Sequence, residues 1–283
     1  MSDTTWMKVT SDEPGRPRLD LRTDRPHTAR VYDYLLGGKD NFEADRIAAE
    51  EGLKANPNSR IPPRENRAFL VRAVRYLAKE AGIRQFLDIG TGIPTSPNVH
   101  EVAQSVAPEA RVVYVDNDPI VLAHARALLS SNPAGRTEYI DADLRDMDAI
   151  MESPKLREVL DFDQPIGLLL IALLHCIGDD DDPYTLVRRL IEPLPSGSFL
   201  ALSHLTGDFD PVAWEKITEI FRKGDVVLQV RDKAAVERFF TGLDLVEPGV
   251  QPLTRWRPDP DRAGAEVPTD AQVSVYGGVA RKP

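Results

Sequence analysis

Residues 86–97 of the chain, FLDIGTGIPTSP, read as a β-strand that runs into a glycine turn. Gly90 and Gly92 stand two residues apart, and glycine there lets the backbone turn sharply and approach a ligand closely. A dinucleotide-binding turn has the pattern GxGxxG, whereas this chain has Pro94 followed by Thr95 in place of the third glycine. Proline also removes a backbone N–H that could bind a phosphate. The turn therefore predicts a ligand without a diphosphate, and a tight turn that binds nothing is the alternative.

Three aspartates, Asp88, Asp116 and Asp143, each follow a short apolar run at the same point. They are 28 and 27 residues apart, and each interval is the length of one strand–helix unit. Since parallel strands end at one edge of a sheet, we expect the three carboxylates beside the glycine turn. There Asp116 is placed to accept hydrogen bonds from two ribose hydroxyls, Asp143 to bind an adenine amino group and Asp88 to bind an ammonium. Singly, each could instead be a cap or a solvated residue, and we expect Asp118 to be only a helix cap.

Strands alternate with helical patterns from residue 83 onward, which predicts βαβ units and a parallel sheet with both faces covered. Three Asp-Pro pairs mark helix starts, because aspartate caps a helix while proline takes a position that needs no backbone N–H. The predicted strands are 85–90, 111–117, 137–142, 166–175 and 198–205, and the predicted helices are 97–107, 119–130, 146–160, 183–190, 211–222 and 233–241.

The last two predicted strands, 243–247 and 271–282, have no predicted helix between them, so the chain favours an antiparallel pair there. The fold class is therefore α/β: a Rossmann-like, doubly wound sheet of seven strands, mostly parallel, with a C-terminal antiparallel hairpin and additional N-terminal helices. The loop 248–270 carries Trp256, which we expect to shape either an acceptor pocket or a subunit contact.

The first third of the chain has a different pattern. Residues 1–26 are polar and rich in proline, which predicts a flexible or extended arm. Helical patterns follow in three segments, with a loop at 55–63 before the third. The predicted domains are the arm at 1–26, a helical lid at 27–82 and an α/β domain at 83–283. The predicted N-terminal helices are 27–36, 42–54 and 64–82.

The composition narrows the class of protein. A net charge of −10 over 283 residues argues against sequence-independent binding of nucleic acid, and the five arginines within 16–30 read as a solvated arm. The longest apolar run, 166–174, is too short to cross a bilayer, and no apolar leader precedes the chain. The single cysteine, Cys176, cannot form an internal disulfide. We expect a cytoplasmic protein without a membrane or nucleic-acid partner, whose oligomeric state is open.

A ligand with adenine, ribose, an amino group and no phosphate is S-adenosylmethionine. The pattern DIGTG, VDND and DADL with the closing strand pair resembles the class I S-adenosylmethionine-dependent methyltransferases. The segments ARVYDYLLGGKDNFEADR, FLDIGTGIPT and VVYVDNDPIVLAHARALL are similar to a narrower bacterial S-adenosyl methyltransferase family, long catalogued as a domain of unknown function. The likeness covers residues 26 to 283 and implies that fold, S-adenosylmethionine as cofactor and S-adenosylhomocysteine as product. The predicted cofactor contacts are Asp88, Gly90, Gly92, Asp116, Asn117, Asp143, Leu144, His175 and Tyr34.

His175 is the candidate catalytic residue, because it follows the fourth predicted strand beside the expected methyl group. The segment LLHCIGDDDD resembles the histidine segment of small-molecule O-methyltransferases, in which that histidine can be the base. Ile177 stands where such enzymes have an aromatic residue. His175 as a wall of the cofactor site is the alternative, and His204 is a weaker candidate base. The run Asp179–Asp182 reads as a capped, solvated helix start, so we predict no metal.

Tyr32 and Tyr34 lie on the first predicted helix, which in this architecture often covers the cofactor. Both tyrosines could equally be core residues. Asp40 and Asn41 are further candidates for ligand contacts in this segment. Arg67 could pair with the methionine carboxylate or form a salt bridge on a helix surface. We therefore expect a methyltransferase that acts on a small-molecule acceptor. A non-catalytic S-adenosylmethionine sensor and a nicotinamide-dependent oxidoreductase are the alternatives; Thr95 and the terminal hairpin disfavour the oxidoreductase.

Overall fold

The computed structural model describes residues 21–128, 131–224, 226–260 and 266–283, so most of the predicted arm lies outside the described residues. The helices are α1 (Thr28–Leu36), α2 (Glu43–Ala55), α3 (Ile61–Lys79), α4 (Val99–Val106), α5 (Pro119–Leu128), α6 (Met147–Met151), α7 (Pro154–Val159), α8 (Pro183–Ile191), α9 (Pro211–Lys223), α10 (Lys233–Glu237) and α11 (Asp270–Val273). The strands are β1 (Gln85–Ile89), β2 (Arg111–Asp116), β3 (Arg136–Asp141), β4 (Gly167–Ile171), β5 (Phe199–Leu205), β6 (Asp244–Leu245), β7 (Gln251–Pro252) and β8 (Val275–Arg281).

The eight strands form one sheet in the order β3-β2-β1-β4-β5-β8-β6, and the short β7 pairs with β8 beside that path. The strands from β1 to β5 pair in parallel, whereas β8 runs antiparallel to β5, β6 and β7. The predicted doubly wound fold with an antiparallel end is confirmed. The structure has an eighth strand, β7, which was not predicted because it has only two residues.

Two predicted helices have different boundaries in the structure, and proline residues account for both differences. α3 begins at Ile61, three residues before the predicted start, because Pro62 and Pro63 occupy the first turn, where no N–H partner is needed. The predicted helix 146–160 is two short helices, α6 and α7. Pro154 starts the second of them and cannot continue the first, because it lacks the N–H that the helix ladder requires.

Two strand predictions are also wrong at their ends. β4 ends at Ile171 rather than at His175, because Ala172 takes a positive φ of 55° and the chain turns into a 3₁₀ helix at Leu174–Cys176. The last strand begins at Val275, and the residues before it form α11. These turns matter for function, because they bend His175 out of the strand.

Two apolar cores cover the two faces of the sheet. α3 and α4 pack on one face, and α6, α7 and α8 pack on the other. Trp256 of the loop 248–270 is fully buried against Phe69 and Tyr76 of α3, so this residue is part of the core, and residues 261–265 of the loop lie outside the described residues. Arg72 of α3 donates hydrogen bonds to the carbonyl oxygens of Leu253 and Trp256. α3 thus belongs to the packed body of the molecule, while the predicted division into arm, lid and α/β domain stays a prediction.

Candidate functional site

A cavity of about 450 Å³ lies at the carboxyl ends of the parallel strands, under α1, α2 and α9. This volume falls within the roughly 300–1,000 Å³ that small-molecule sites occupy. The structure brings eight of the nine predicted contacts to its lining: Asp88, Gly90, Gly92, Asp116, Asn117, Asp143, Leu144 and His175.

The glycine turn after β1 needs glycine at both positions. Gly90 and Gly92 have φ angles of 73° and 66°, a region that side chains rarely adopt. A Cβ on Gly90 would lie 2.5 Å from Leu173 Cδ1. The backbone N–H of Gly92 donates to Asp116 Oδ2 at 2.8 Å, which joins the turn to the end of β2. The turn is therefore both tight and fixed.

The donors after this turn are already used by the chain. Thr95 donates its N–H to Asn98 Oδ1 at 3.1 Å, and Asn98 donates its N–H to Glu101 Oε2 at 2.5 Å. Arg67 of α3 donates to the carbonyl oxygens of Thr95 and Pro97. The start of α4 therefore offers no open row of N–H groups of the kind that a diphosphate requires.

Asp88 and Asp116 are buried at the strand ends, with 4% and 7% of their surfaces exposed. Burial raises the pKa of Asp88 to about 7, although the Thr91 hydroxyl and the charge of Arg67 oppose the shift. Burial also raises the pKa of Asp116, whose carboxylate accepts N–H bonds from Asp118 and Gly92. A cation placed between these carboxyls would restore their ionised forms.

Asp143 is held differently, since it is partly exposed and paired. The Arg145 guanidinium donates two hydrogen bonds to its carboxylate, the backbone N–H of Arg145 donates a third, and Asn117 donates a fourth at 2.7 Å. These bonds, the Arg145 bonds first, lower the pKa of Asp143 to about 2. The group is a fixed anion beside the end of β3. We refer to Asp88, Asp116 and Asp143 together as the acidic rim.

His175 lies in the 3₁₀ turn after β4 and lines the cavity. Among the described residues no hydrogen-bond partner reaches its Nδ1 atom, which is buried. Burial, with the neighbouring His204 and Arg231, lowers the pKa of His175 well below its ordinary value. The ring is therefore neutral near pH 7. It meets the His204 ring edge-on at 5.7 Å between centroids.

His204 and Arg231 support this turn from below. Arg231 lies 2.8 Å from His204 Nε2, so that nitrogen accepts, and the Nδ1 of His204 donates to the Leu205 carbonyl oxygen. Arg231 also donates to the carbonyl oxygens of Leu174 and Ile177, which flank His175. His204 does not line the cavity, and both of its ring nitrogens form hydrogen bonds in this network.

The tyrosines of α1 take separate positions. Tyr32 lines the cavity, and its hydroxyl donates to the Pro63 carbonyl oxygen at 3.0 Å while accepting from Asn66 at 2.9 Å. Tyr34 is outside the lining: its hydroxyl donates to Glu50, and the Arg60 guanidinium lies 5.1 Å above its ring.

The other guessed residues of this segment also lie elsewhere. Asn41 donates to the buried Asp33 at 2.8 Å, and the backbone N–H of Asp40 donates to the same carboxylate. Gly38 is required beside them, because a Cβ there would overlap the Asp33 carboxylate at 2.0 Å. Neither Asp40 nor Asn41 lines the cavity.

Asp118 does more than cap α5. One oxygen accepts the Ile120 N–H, and the other lies 3.0 Å from His27 Nδ1 and 3.2 Å from Arg30 Nε, both at α1. Arg30 also faces the fully buried Asp45 of α2 at 3.8 Å. This charge cluster holds the covering helices to the sheet edge. This cluster could not be predicted from the sequence, because its members are as much as 91 residues apart and follow no periodic pattern.

On the far side of the cavity, the described lining residues carry no charge. This side is formed by α2, α9, the ends of β5 and β8 and the segment 226–228. We call this surface the apolar wall, and its residues are Ala49, Gly52, Leu205, Trp214, Ile217, Phe221, Val226, Val227, Leu228 and Val275. The sequence did not reveal it, since these residue types at helical spacing look like ordinary core.

The run Asp179–Asp182 is divided among structural roles. Asp182 caps α8 by accepting the Thr185 N–H, and Asp179 pairs with Arg231 at 2.6 Å. In the part of the chain that the structure describes, no three His, Cys, Asp or Glu side chains are grouped so as to hold a metal ion. No described helix has the length and apolarity needed to cross a membrane.

Comparison with known proteins places the chain in one group. The model of a family described as S-adenosyl methyltransferase matches residues 14–283. The structure of a DUF574 family protein from Streptomyces avermitilis is 49% identical, with a TM-score of 0.90 over 93% of this chain and 100% of that one. A candidate methyltransferase from Thermobifida fusca is 42% identical, with a TM-score of 0.84 over 94% and 98% of the two chains.

A more distant structure shares the fold alone. It is that of the plantazolicin methyltransferase BamL in complex with a substrate analogue and S-adenosylhomocysteine, at 11% identity and a TM-score of 0.53 over 90% of this chain and 95% of that one. The comparison with curated proteins gives no match.

Proposed function

This chain belongs to the S-adenosyl methyltransferase family, and on that premise we propose that it transfers a methyl group from S-adenosylmethionine to a small-molecule acceptor held in the same cavity. The observation that carries the proposal is the meeting of the glycine turn, the acidic rim and His175 around one cavity of about 450 Å³. Sites of this size bind small molecules rather than extended polymers.

The charges of the site fit the proposed cofactor. The sulfonium and ammonium groups of S-adenosylmethionine are cationic, and the acidic rim supplies three carboxyls at the matching edge. The two lining arginines are already engaged, Arg67 with backbone carbonyls and Arg145 with Asp143. A dinucleotide would bring a diphosphate against carboxylates and find no free cation there, so the donor set favours the nucleoside ligand.

Each rim residue has a role that follows from its place in the strand order. We assign the ribose hydroxyls to Asp116 after β2, and the adenine edge to Asp143 and Asn117 after β3. Leu144 packs against the base, and Gly90 and Gly92 allow the close approach of the amino-acid portion to the turn. Asp88 holds the ammonium. The sulfonium then faces β4, where His175 lies.

His175 is assigned as the group that receives the acceptor's proton. S-adenosylmethionine, when bound, supplies an electrophilic methyl carbon. As an acceptor oxygen bonded to that carbon, the bond from the carbon to the sulfonium sulfur would break, and S-adenosylhomocysteine would leave with the electron pair as a neutral thioether. The hydroxyl proton would become strongly acidic, so the neutral His175 ring could take it despite its low pKa. The larger part of the rate comes from holding the acceptor in line with the methyl group.

Calorimetric titration with S-adenosylmethionine, S-adenosylhomocysteine and NAD tests the cofactor assignment. We expect micromolar binding of the first two and none of NAD. NAD binding without the others would overturn the proposal, whereas binding with no S-adenosylhomocysteine release across an acceptor screen would favour a non-catalytic sensor.

The role of His175 has its own test once an acceptor is found. We expect His175→Ala to slow methyl transfer by about 10²–10⁴-fold, the usual contribution of a general base, while the cofactor affinity stays near the wild-type value. A loss of cofactor affinity with unchanged turnover would mean that His175 is only a wall of the cofactor site. His204→Ala is no matched control, because it would disturb the Arg231 network beneath the turn.

A further inference from the structure

The two sides of the cavity differ completely in charge. The ionisable lining residues belong to α1, α3, the 3₁₀ turn and the ends of β1 to β3. The apolar wall, from α2, α9, β5, β8 and 226–228, contains only aliphatic, aromatic and glycine residues. Since a charged group buried without a partner is strongly unfavourable, this wall discriminates against ionised ligands.

The strand order sets where the wall stands relative to the cofactor. The acidic rim covers β1, β2 and β3, and the order continues through β4 to β5 and β8. Leu205 and Val275, at the ends of β5 and β8, both line the cavity. With the methyl group directed to β4, the space against the apolar wall is the space for the methyl acceptor.

We propose that the apolar wall is the acceptor subsite and that it binds an uncharged, largely apolar molecule, of the size of an aromatic ring system, that carries a hydroxyl for methylation. This inference rests on the proposed function for its meaning as an acceptor site. Binding of a neutral ligand to the wall can nevertheless be measured without methyl transfer.

The first experiment compares three ligands that share one ring system and differ in charge: naphthol, hydroxynaphthoic acid and aminomethylnaphthol. Each is added to the protein saturated with S-adenosylhomocysteine. Fluorescence titration near pH 7 keeps the first neutral, the second anionic and the third cationic. We expect naphthol to bind at least tenfold more tightly than either charged ligand. Equal binding of a charged ligand, or no binding of naphthol at millimolar concentration, would overturn the inference.

The second experiment places a charge on the wall. Phe221→Asp should weaken naphthol binding at least tenfold. Val212→Asp, on the 63% exposed side of the same helix, should leave it unchanged. A folded Phe221→Asp protein that binds naphthol like the wild type would contradict the proposed subsite. If this variant does not fold, the three-ligand comparison on the wild type still decides the matter.

Failure of the wild type to bind S-adenosylhomocysteine would refute the proposed function. Failure to prefer naphthol in a protein that does bind S-adenosylhomocysteine would refute only the acceptor subsite, so the two failures are distinguishable.

Discussion

The acidic rim and the apolar wall face each other across one cavity but are built in opposite ways. The rim comes from Asp88 to Asp143, a continuous run of three strands with two helices between them, and all three strands end at the same edge. The wall collects residues from 49 to 275, drawn from two helices, two strand ends and a connecting segment. The rim is thus a product of the repeating fold, and the wall is a product of how the helices cover it. Change in the wall can therefore alter the acceptor without disturbing the cofactor.

The largest expected effect lies where the covering helices meet the rim. Asp118→Ala should lower the free energy of unfolding by about 3 kcal/mol, because it removes the nearer of the two carboxylates that face the buried Arg30 and leaves only Asp45, at 3.8 Å. Urea denaturation near pH 7 measures the change. A small decrease in the free energy of unfolding would contradict this role of Asp118. Packing alone would then hold the covering helices to the acidic rim.

Asp210→Ala is the matched control for this change. Asp210 also precedes a proline and caps a helix, but it has no buried cationic partner. Its loss should cost about 1 kcal/mol, as for a helix cap. A cost for Asp118→Ala no larger than that of Asp210→Ala would reduce Asp118 to a cap.

The next effect concerns the rim itself. Asp116→Ala should weaken S-adenosylhomocysteine binding by about 1.5–3 kcal/mol, or about ten- to a hundredfold in Kd, because hydrogen bonds to a charged group are lost. Asp141 is the control, since it pairs with Asp116 in register on β3 but lies outside the cavity. Calorimetry should show unchanged binding for Asp141→Ala. Wild-type affinity in a folded Asp116→Ala protein would refute the site.

A smaller effect is the pH dependence of cofactor affinity that protonation of Asp88 should cause. Since burial raises its pKa to about 7, binding of a cationic ligand must release a proton below that pH. Affinity for S-adenosylmethionine should therefore rise with pH from about 5.5 to 7, by at most about tenfold per unit.

The control for this pH dependence is Asp88→Asn, which should remove it. In the free protein the raised pKa stabilises the fold below about pH 4, and this contribution is lost as pH rises through 7. Calorimetry in two buffers of different ionisation enthalpy counts the released proton. No difference in proton release between wild type and Asp88→Asn would place the titrating group elsewhere.

The smallest effect compares a glycine in each region. Gly52→Ala in α2 should raise stability by about 0.5–1 kcal/mol, because alanine is the better helix former and its Cβ would meet Phe221 at an ordinary 3.8 Å. Thermal unfolding measures the gain, and cofactor binding should not change. Gly90→Ala, with a positive φ and a 2.5 Å contact to Leu173, should instead lose stability and cofactor affinity. If both substitutions changed stability and cofactor affinity in the same direction, the two glycines would not differ in their structural roles.

The rim was predictable because its geometry repeats along the chain. The interval between Asp88, Asp116 and Asp143 equals one strand–helix unit, so sequence distance translates directly into position. The parallel part of the sheet followed from the same alternation, and its antiparallel end followed from the missing helix between the last two predicted strands. Proline residues limited the accuracy of the helix ends, since one at position 154 divides a continuous apolar pattern.

The wall and its supports were not predictable, for a physical reason. Ile217 and Phe221 have the spacing of any amphipathic helix, and only the placement of α9 over the cavity turns them into lining. The turn at Ala172 depends on the Ser203 hydroxyl, which accepts its N–H across the neighbouring strand. Such contacts between distant segments leave no local pattern.

The hydrogen bonds of Arg72 have a consequence for biosynthesis. This guanidinium on α3 finds its acceptors at Leu253 and Trp256, which the ribosome adds 181 and 184 residues later. At translation rates of roughly 5–20 residues per second, that interval lasts on the order of 10–40 s. Throughout it, the face of α3 that later holds Trp256 has no permanent partner. This part of the α3 surface is therefore covered only after the C-terminal third of the chain has been synthesised.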